Sequence, residues 1–405
     1  MKILVVSQHY HPEPFHLHTI CEGLVERGHQ VTVVTGTPNY PTGIVYDGYE
    51  KGQRQDEVVN GVNIHRCKII PRKKGVVSRL LNYYSFVFAS TNYVKRIKEK
   101  YDVVVCYQLS PVMQANAAIA YQKKWGVPYV LYCLDLWPES LSVGNVNRQS
   151  WAYKHYKKVS QKLYGKANKL LVSSYPFIQR MQENFGFEKD KFVYLPQHAE
   201  DIFAPDSCKK EADEYCDLLF AGNVGLAQSV ETIIHAAKRL LDRPNIRFHI
   251  VGSGTSLEGV KALSQKLGTT NVFFYGKHPS EKMPEFYAKA DGMLLTFAKT
   301  EVLSMTVPLK TQSYLAAGKP IVCAADGAVA EEVEKAACGY VGPAEDVEKL
   351  VENILRFAEE KDKLALGQNA RAYFENNFTK EKFLSGLEQV LIKETGRGED
   401  EGTAD

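Results

Sequence analysis

No two cysteines in this chain stand at the two-residue spacing of a redox or zinc motif. The eight cysteines, at 21, 67, 106, 133, 208, 216, 323 and 338, mostly interrupt apolar runs such as VVVCY and VLYCL. They read as small buried hydrophobes in a reduced compartment. No spacing of His, Cys, Asp and Glu resembles a metal-binding set, and His16 and His18, two apart, fall on different helix faces. Long apolar runs are missing too: none approaches the ~20 residues that cross a bilayer. The opening MKILVV enters a strand at once, without a charged leader, apolar segment and cleavage site. A soluble or peripheral, cytoplasmic protein is expected. Charge of one sign is equally scarce, since 50 basic and 47 acidic residues leave +3, too weak a global field to argue for nucleic acid.

What is present is apolar content sufficient for two cores, 44% of 405 residues with 11% aromatic, so two domains are expected. Short Val/Ile/Leu runs alternate with longer amphipathic stretches, the mark of βαβ units on a mostly parallel sheet. The first half reads as strands Lys2–Ser7, Gln30–Thr35, Val62–Cys67, Asp102–Cys106, Pro128–Cys133, Lys169–Val172 and Lys191–Leu195. After the Pro-marked stretch LPQHAEDIFAPDS come strands Asp217–Ala221, Ile246–Val251, Val272–Tyr275, Gly292–Phe297, Pro320–Cys323 and Gly339–Val341. The fold class is therefore α/β. Two Rossmann-like doubly wound parallel-sheet domains, residues 1–197 and 198–377, are expected to face one another across an interdomain cleft. A helix near 378–393 is expected to pack back on the first domain, and the acidic, Gly-containing end 396–405 to be disordered.

Four segments at strand ends carry candidate chemistry. TEVLSMTVPLKTQSYLAAGKPIV (300–322) couples a polar loop to a short helix that starts after Pro308 and ends at Gly318, ahead of a buried strand. A helix start at the carboxyl end of a strand offers unpaired N–H groups and a positive dipole end, and Lys310 lies in the first turn, so the place suits a phosphate. LLFAGNVGLAQS (218–229) is a strand, a Gly-containing turn and a helix start. Its small residues admit a ligand close to the backbone, and Asn223 and Gln228 offer hydrogen bonds to phosphate or sugar hydroxyls. DLWPES (135–140) sets Asp135, Trp137 and Glu139 directly after an apolar strand. That is better read as a polar pocket than as core, the other reading being an Asp that caps the next short helix. SQHYHPEP (7–14), with His9, His11 and Glu13, suits a rim that touches substrate, or a plain connector with exposed histidines.

Together these stretches resemble the retaining, sugar-nucleotide-dependent glycosyltransferases of the GT-B fold, family 4. The branch is that of bacterial capsule, O-antigen and exopolysaccharide enzymes, the WbuB/WcaI-like group. The resemblance covers about residues 1–393. It rests on TGTPNYPTGIVYDGYE (35–50), IPRKKGVVSRLLNYYSF (70–86), DLWPES (135–140), YLPQHAEDIF (194–203), AGNVGLAQS (221–229), VGSG (251–254) and YLAAGKPIV (314–322). It implies that Gly222, Asn223, Gly225, Gln228 and Lys310 cradle the donor diphosphate, with Thr306, Gln312 and Ser313 on the same donor side. Gly252, Gly254, Gly276, Lys277 and His278 would lie against the nucleoside. Asp135 and Lys310 would be catalytic, and His9, His11, Glu13 and Glu139 would lie on the acceptor side. It also implies no cofactor and no metal, a nucleotide sugar as donor (UDP-linked, with an N-acetylated amino sugar as one option) and an undecaprenyl-diphosphate-linked sugar as acceptor. The chain departs from the wider family: Asn223 and Gln228 replace Arg and Lys, Leu134 replaces His, and Met305 and Ser313 replace the Glu pair.

The chemistry has its own logic. Negative charge grows on the departing diphosphate while the sugar becomes oxocarbenium-like, so preorganised positive potential at that oxygen is the dominant need. Without a glycosidase-like carboxylate pair, the leaving phosphate itself can take the acceptor's proton on the retained face, with Asp135 orienting the acceptor. Residues 66–100 hold ten basic and one acidic side chain, interleaved with Tyr83, Tyr84, Phe86, Phe88 and Tyr93. That suits either contact with an anionic membrane at the inner face of the plasma membrane or a solvated helix. Three rivals remain at this stage: a nicotinamide oxidoreductase, weakened by Leu257 where a third glycine is needed, a sugar-nucleotide epimerase of the same architecture, and a non-catalytic partner of another transferase.

Overall fold

A computed structural model describes residues 1–73, 75–143, 146–211 and 213–397. The chain divides into two compact units, one of Met1–Leu195 with the residues from Leu384 onward, the other of Pro196–Phe383.

The first unit holds strands β1 (Lys2–Val6), β2 (Gln30–Gly36), β3 (Asp56–Val59), β4 (Val62–Cys67), β5 (Val103–Gln108), β6 (Tyr129–Cys133), β7 (Lys169–Val172) and β8 (Phe192–Tyr194). Their order in the sheet is β3-β4-β2-β1-β5-β6-β7-β8. Every pairing is parallel except β3 with β4. Because β5 and β6 are covered on both faces, every one of their residues is buried, which explains why they read as continuous apolar runs instead of alternating ones. The antiparallel edge strand β3 was not expected. It is joined to β4 by Asn60-Gly61, both at positive φ (48° and 80°), the conformation a tight hairpin requires. After Pro111 the chain forms a 3₁₀ turn, Val112–Gln114, and then a helix, Ala115–Trp125. The helix Trp151–Lys166 starts where the Ser150 hydroxyl accepts from Tyr153 N at 3.2 Å, a serine N-cap.

From Leu384 the last helix (Lys380–Thr395) belongs to the first unit. It buries Leu384, Leu387 and Leu391. Glu388 takes Arg27 Nη1 and His29 Nε2, each at 2.7 Å. The order reaches into the segment expected to be disordered, since Arg397 Nη2 meets Asp102 Oδ1 at 2.6 Å. Residues 398–405 lie outside the described residues.

The second unit holds β9 (Cys216–Ala221), β10 (Ile246–Val251), β11 (Val272–Gly276), β12 (Gly292–Thr296), β13 (Ile321–Ala324) and β14 (Gly339–Gly342). All are parallel, in the order β11-β10-β9-β12-β13-β14. Two cores flank this sheet. One packs Ile233, Val260, Ile354 and Phe357 from helices Val230–Arg239, Leu257–Leu267 and Val347–Glu359. The other packs Tyr314, Leu315, Val333 and Phe374 from helices Leu309–Ala316, Ala328–Lys335 and Lys363–Asn377. Each such side chain, fully buried, contributes about 1.5–3 kcal/mol. Helices against both faces of the central strands leave the loops at the strands' carboxyl ends open and polar. No helix among the described residues is long and apolar enough to cross a membrane.

Candidate functional site

In the second unit the loops after β9 and β10 cross in contact. Gly222 N donates to Val251 O (2.9 Å), Val224 N to Ser253 O (2.9 Å), Ser256 N to Val224 O (3.0 Å) and Gly252 N to Gly276 O (2.8 Å). A Cβ on Gly252 would stand 1.7 Å from Gly222 O, and one on Gly254 would stand 2.2 Å from Val224 O. Gly252 also holds φ 142°, a region L-residues rarely enter. The glycines predicted to admit a ligand close to the backbone thus first admit one another. The turn is closed by Gln228, whose Oε1 accepts from Asn223 Nδ2 (2.9 Å) and Gly225 N (3.2 Å). Asn223 itself is exposed.

Lys310 meets this turn from the helix Leu309–Ala316. Its stem is partly exposed, but Nζ is covered, has no hydrogen-bond partner among the described residues, and lies 3.8 Å from the centre of the Phe220 ring. A Cβ on Gly222 would stand 3.0 Å from it, so a larger residue there would press on the ammonium. Burial without a carboxylate pushes Lys310 down to about 7, because desolvation disfavours the charged form. The Tyr314 hydroxyl bridges Ala221 N and O at 3.1 Å each, which fixes the helix to the end of β9. An unpaired buried ammonium is costly unless something anionic completes it. Phe220 and Tyr314 were missed by the sequence reading, although one directly precedes AGNVG and the other stands four residues after Lys310.

Not every residue expected on the donor side faces outward. Gln312 is 1% exposed, and its amide nitrogen is oriented to donate to Pro308 O at 3.0 Å. Ser313 Oγ donates to Leu309 O at 3.4 Å, and Thr306 Oγ1 to Val302 O at 2.9 Å. These three hydroxyl and amide groups are engaged with their own backbone, as serine and threonine at helix ends often are. Lys277 and His278 are exposed, following Gly276 at φ 74°, and the His278 ring packs 4.7 Å from Phe286.

In the first unit, Asp135 follows β6 and is partly exposed. Burial raises its carboxyl above the usual range, opposed by Ser110, whose N and Oγ donate to Oδ2 at 3.1 and 2.6 Å. Trp137 Nε1 donates to the same Ser110 Oγ at 2.8 Å. A chain of buried amides connects this loop to the one after β1: Gln114 Oε1 accepts from Gln8 N (3.0 Å), and Gln114 Nε2 donates to Leu109 O (2.8 Å). Three side chains expected on the acceptor side are turned inward instead of lining a rim. Glu139 is fully buried and takes Asn184 Nδ2 and, at 3.4 Å, the Tyr153 hydroxyl. Glu13 is 3% exposed. Its Oε1 accepts from the N–H groups of Asn39 and Tyr40 at 2.7 Å each, and its Oε2 meets His9 Nδ1 at 2.6 Å. With His9 also buried, the dyad staples the loop after β2 from beneath instead of forming a rim. His11 stays partly exposed, and burial lowers its imidazole. Among the described residues no group of three His, Cys, Asp or Glu side chains is placed to hold a metal ion, and all eight cysteines are buried and free.

Two parallel-sheet α/β units, the second with glycine-crossed strand ends facing a helix start, are the architecture of the GT-B glycosyltransferases. Residues 15–198 match the glycosyl transferase 4-like domain and residues 207–376 the glycosyl transferases group 1 domain. The chain is thus a glycosyltransferase of the GT-B fold assembled from those two domains. It is similar, at 27% identity over 80% of this chain and 84% of the other, to the Escherichia coli K12 protein named as the colanic acid biosynthesis glycosyl transferase WcaI. The fold matches that of WaaG, a glycosyltransferase involved in lipopolysaccharide biosynthesis, with TM-score 0.70 and 21% identity over 97% of this chain and 100% of that one. It also matches Anabaena Alr3699/HepE in complex with UDP and glucose, with TM-score 0.67 and 16% identity over 96% and 99%.

Proposed function

We propose that this enzyme moves a sugar, with retention, from a nucleoside-diphosphate donor to a lipid-linked acceptor, undecaprenyl-diphosphate-linked, in bacterial surface polysaccharide assembly. The donor nucleotide is UDP, and the subgroup is the WbuB/WcaI-like one. The carrying observation is the covered, unpartnered Lys310 ammonium beside Gly222, a charge-assisted hydrogen-bond donor already in place for a diphosphate oxygen. The names of WcaI and WaaG, and the UDP in HepE, support the pathway and the nucleotide. Because Lys310 and the backbone amides supply the positive charge, turnover is proposed to need no metal ion or other cofactor. A melting-temperature screen against UDP, GDP, CDP and ADP tests the reading. At 100 times its Kd the right nucleotide stabilises the protein by about 2.7 kcal/mol, and a flat response to all four would sink the donor assignment.

Asp135 is proposed to orient the acceptor hydroxyl. Asp135→Asn then lowers kcat by about 10²-fold with little change in donor affinity, measured by initial rates against pH. Near-normal turnover with an unchanged pH profile removes that role.

The enzyme is further proposed to sit at the inner face of the plasma membrane. Helix Val76–Arg96 exposes Val77 (71%), Leu81 (51%), Tyr84 (45%) and Phe88 (72%), spaced to form one stripe. The Tyr84 hydroxyl lies 3.2 Å from that of Tyr156, on the lysine-rich helix Trp151–Lys166, where Trp151 is 79% exposed. An apolar-aromatic stripe flanked by lysines complements an anionic bilayer. In flotation assays the protein is expected to rise with vesicles containing phosphatidylglycerol and not with neutral ones. Phe88→Asp should cut the bound fraction about tenfold, whereas flotation insensitive to anionic lipid removes the proposal.

A further inference from the structure

On the second unit's sheet, β10 and β11 turn Arg247, His249, Phe273 and Tyr275 to one face, while Val272 and Phe274 pack into the core on the other. This face is sparsely covered. It lines a groove of about 680 Å³, within the range of about 300–1,000 Å³ typical of small-ligand sites. Phe273 is 41% and Tyr275 36% exposed. The His249 ring stacks between both, with centroids at 5.5 and 5.7 Å, and braces the two exposed rings.

The groove's charges cancel. Four cationic and four carboxylate side chains line it, and those on its floor are tied to one another. Asp217 accepts from Arg247 Nε (2.6 Å) and Nη2 (2.7 Å) and from His249 Nε2 (2.8 Å). Lys210 Nζ lies 2.9 Å from Asp217 and 2.6 Å from Asp291. Burial alone would raise the Asp217 carboxyl, but these donors outweigh it and hold it well below the usual carboxylate range. Among the described residues, each cation and each carboxylate of this floor is already tied to a partner, so neither a phosphate nor a metal ion is matched there. What the groove does offer is flat aromatic area next to a dense set of hydrogen-bonding groups without net charge. That combination matches the C–H-rich face and hydroxyl rim of a neutral pyranose.

We propose that this groove is a second, non-catalytic carbohydrate subsite, in which a neutral oligosaccharide segment stacks on Tyr275 and Phe273 and hydrogen-bonds the Arg247–Asp217–His249 network. It lies apart from the Lys310 nook: Asp217 and Arg247 stand near the amino ends of β9 and β10, and Gly222 and Gly252 follow their carboxyl ends. The subsite would hold a growing glycan near the enzyme between transfers, raising its effective concentration.

The full chain run through native gels containing a soluble starch-type glucan, a mixed-linkage β-glucan or a galactomannan tests this. Retardation in at least one of them, relative to a polysaccharide-free gel, is expected. Phe273→Ser with Tyr275→Ser should raise the apparent Kd about tenfold, the effect of losing stacked rings, without altering the UDP-induced melting shift. Phe273→Ser alone serves if the double variant melts early. Lys310→Ala should be retarded like the parent. Normal mobility in all three gels, or retardation that survives the serine substitutions, overturns the subsite. Retardation that disappears with Lys310→Ala overturns it as well, by assigning the sugar to the donor nook.

Discussion

Lys310→Ala is expected to lower turnover by about 10²–10³-fold, the usual consequence of removing one preorganised donor from a developing anion, while Lys310→Met makes the protein harder to melt. Both effects come from the same atom. Among the described residues the ammonium is covered, unpaired and supported by the Phe220 ring at 3.8 Å, so the folded state carries a desolvation penalty that a thioether does not. In the folded protein Lys310 titrates at about 7, against 10.5 ordinarily. Between those values the unfolded chain binds the extra proton, so stability rises with pH across that window and the penalty is fully present below it. The gain from Lys310→Met is therefore largest at or below pH 7 and shrinks toward pH 10, as differential scanning calorimetry at several pH values would show. Ligand binding runs the other way. A diphosphate restores the ammonium, so UDP affinity falls as pH climbs past 7. Calorimetry at pH 8 in two buffers of different ionisation enthalpy should show proton uptake in the parent and none in Lys310→Met. Equal proton uptake in both would place the titrating group elsewhere.

Gly252→Ala is expected to cost roughly 3 kcal/mol or more, the upper end for a single substitution, and to abolish nucleotide binding. Its new Cβ would lie 1.7 Å from Gly222 O, inside any allowed contact, at a φ of 142° that alanine does not adopt comfortably. Relief requires breaking the hydrogen bonds from Gly222 N to Val251 O or from Gly252 N to Gly276 O, and with them the crossing that sets the turn beside Lys310. Gly259→Ala, inside helix Leu257–Leu267 with nothing within 4 Å, is the matched control. It should stabilise by about 0.5–1 kcal/mol. Denaturant melts of the two variants suffice, and comparable stability in both would mean that the crossing is not rigid.

The two sheets were legible in the sequence because central parallel strands are unbroken apolar runs, as in VVVCYQ and YVLYC. The strand β3 was not, since DEVV is short and half charged; its one signal, the Asn60-Gly61 pair, passed unread. At the site, the backbone devices were legible: glycines after β9 and β10, and a lysine in the first turn of a helix, are local patterns. What stayed hidden was which polar side chains the fold uses for itself. Glu139 is met by Asn184, and Glu13 by the amides of Asn39 and Tyr40, partners tens of residues away that no local reading supplies. Phe220 was equally hidden, because a strand phenylalanine beneath a cation has the same sequence signature as one in the core.

Glu388, clasped by Arg27 and His29, lies beyond all of Pro196–Phe383 in the chain. During synthesis on the ribosome the first unit must therefore wait, its helix seat empty, while the whole second unit emerges and completes its own contacts. Domains generally fold as units in order of emergence, and here that order is inverted for the final step. A stalled nascent chain ending before residue 384 should resist protease across the second unit sooner than across the first.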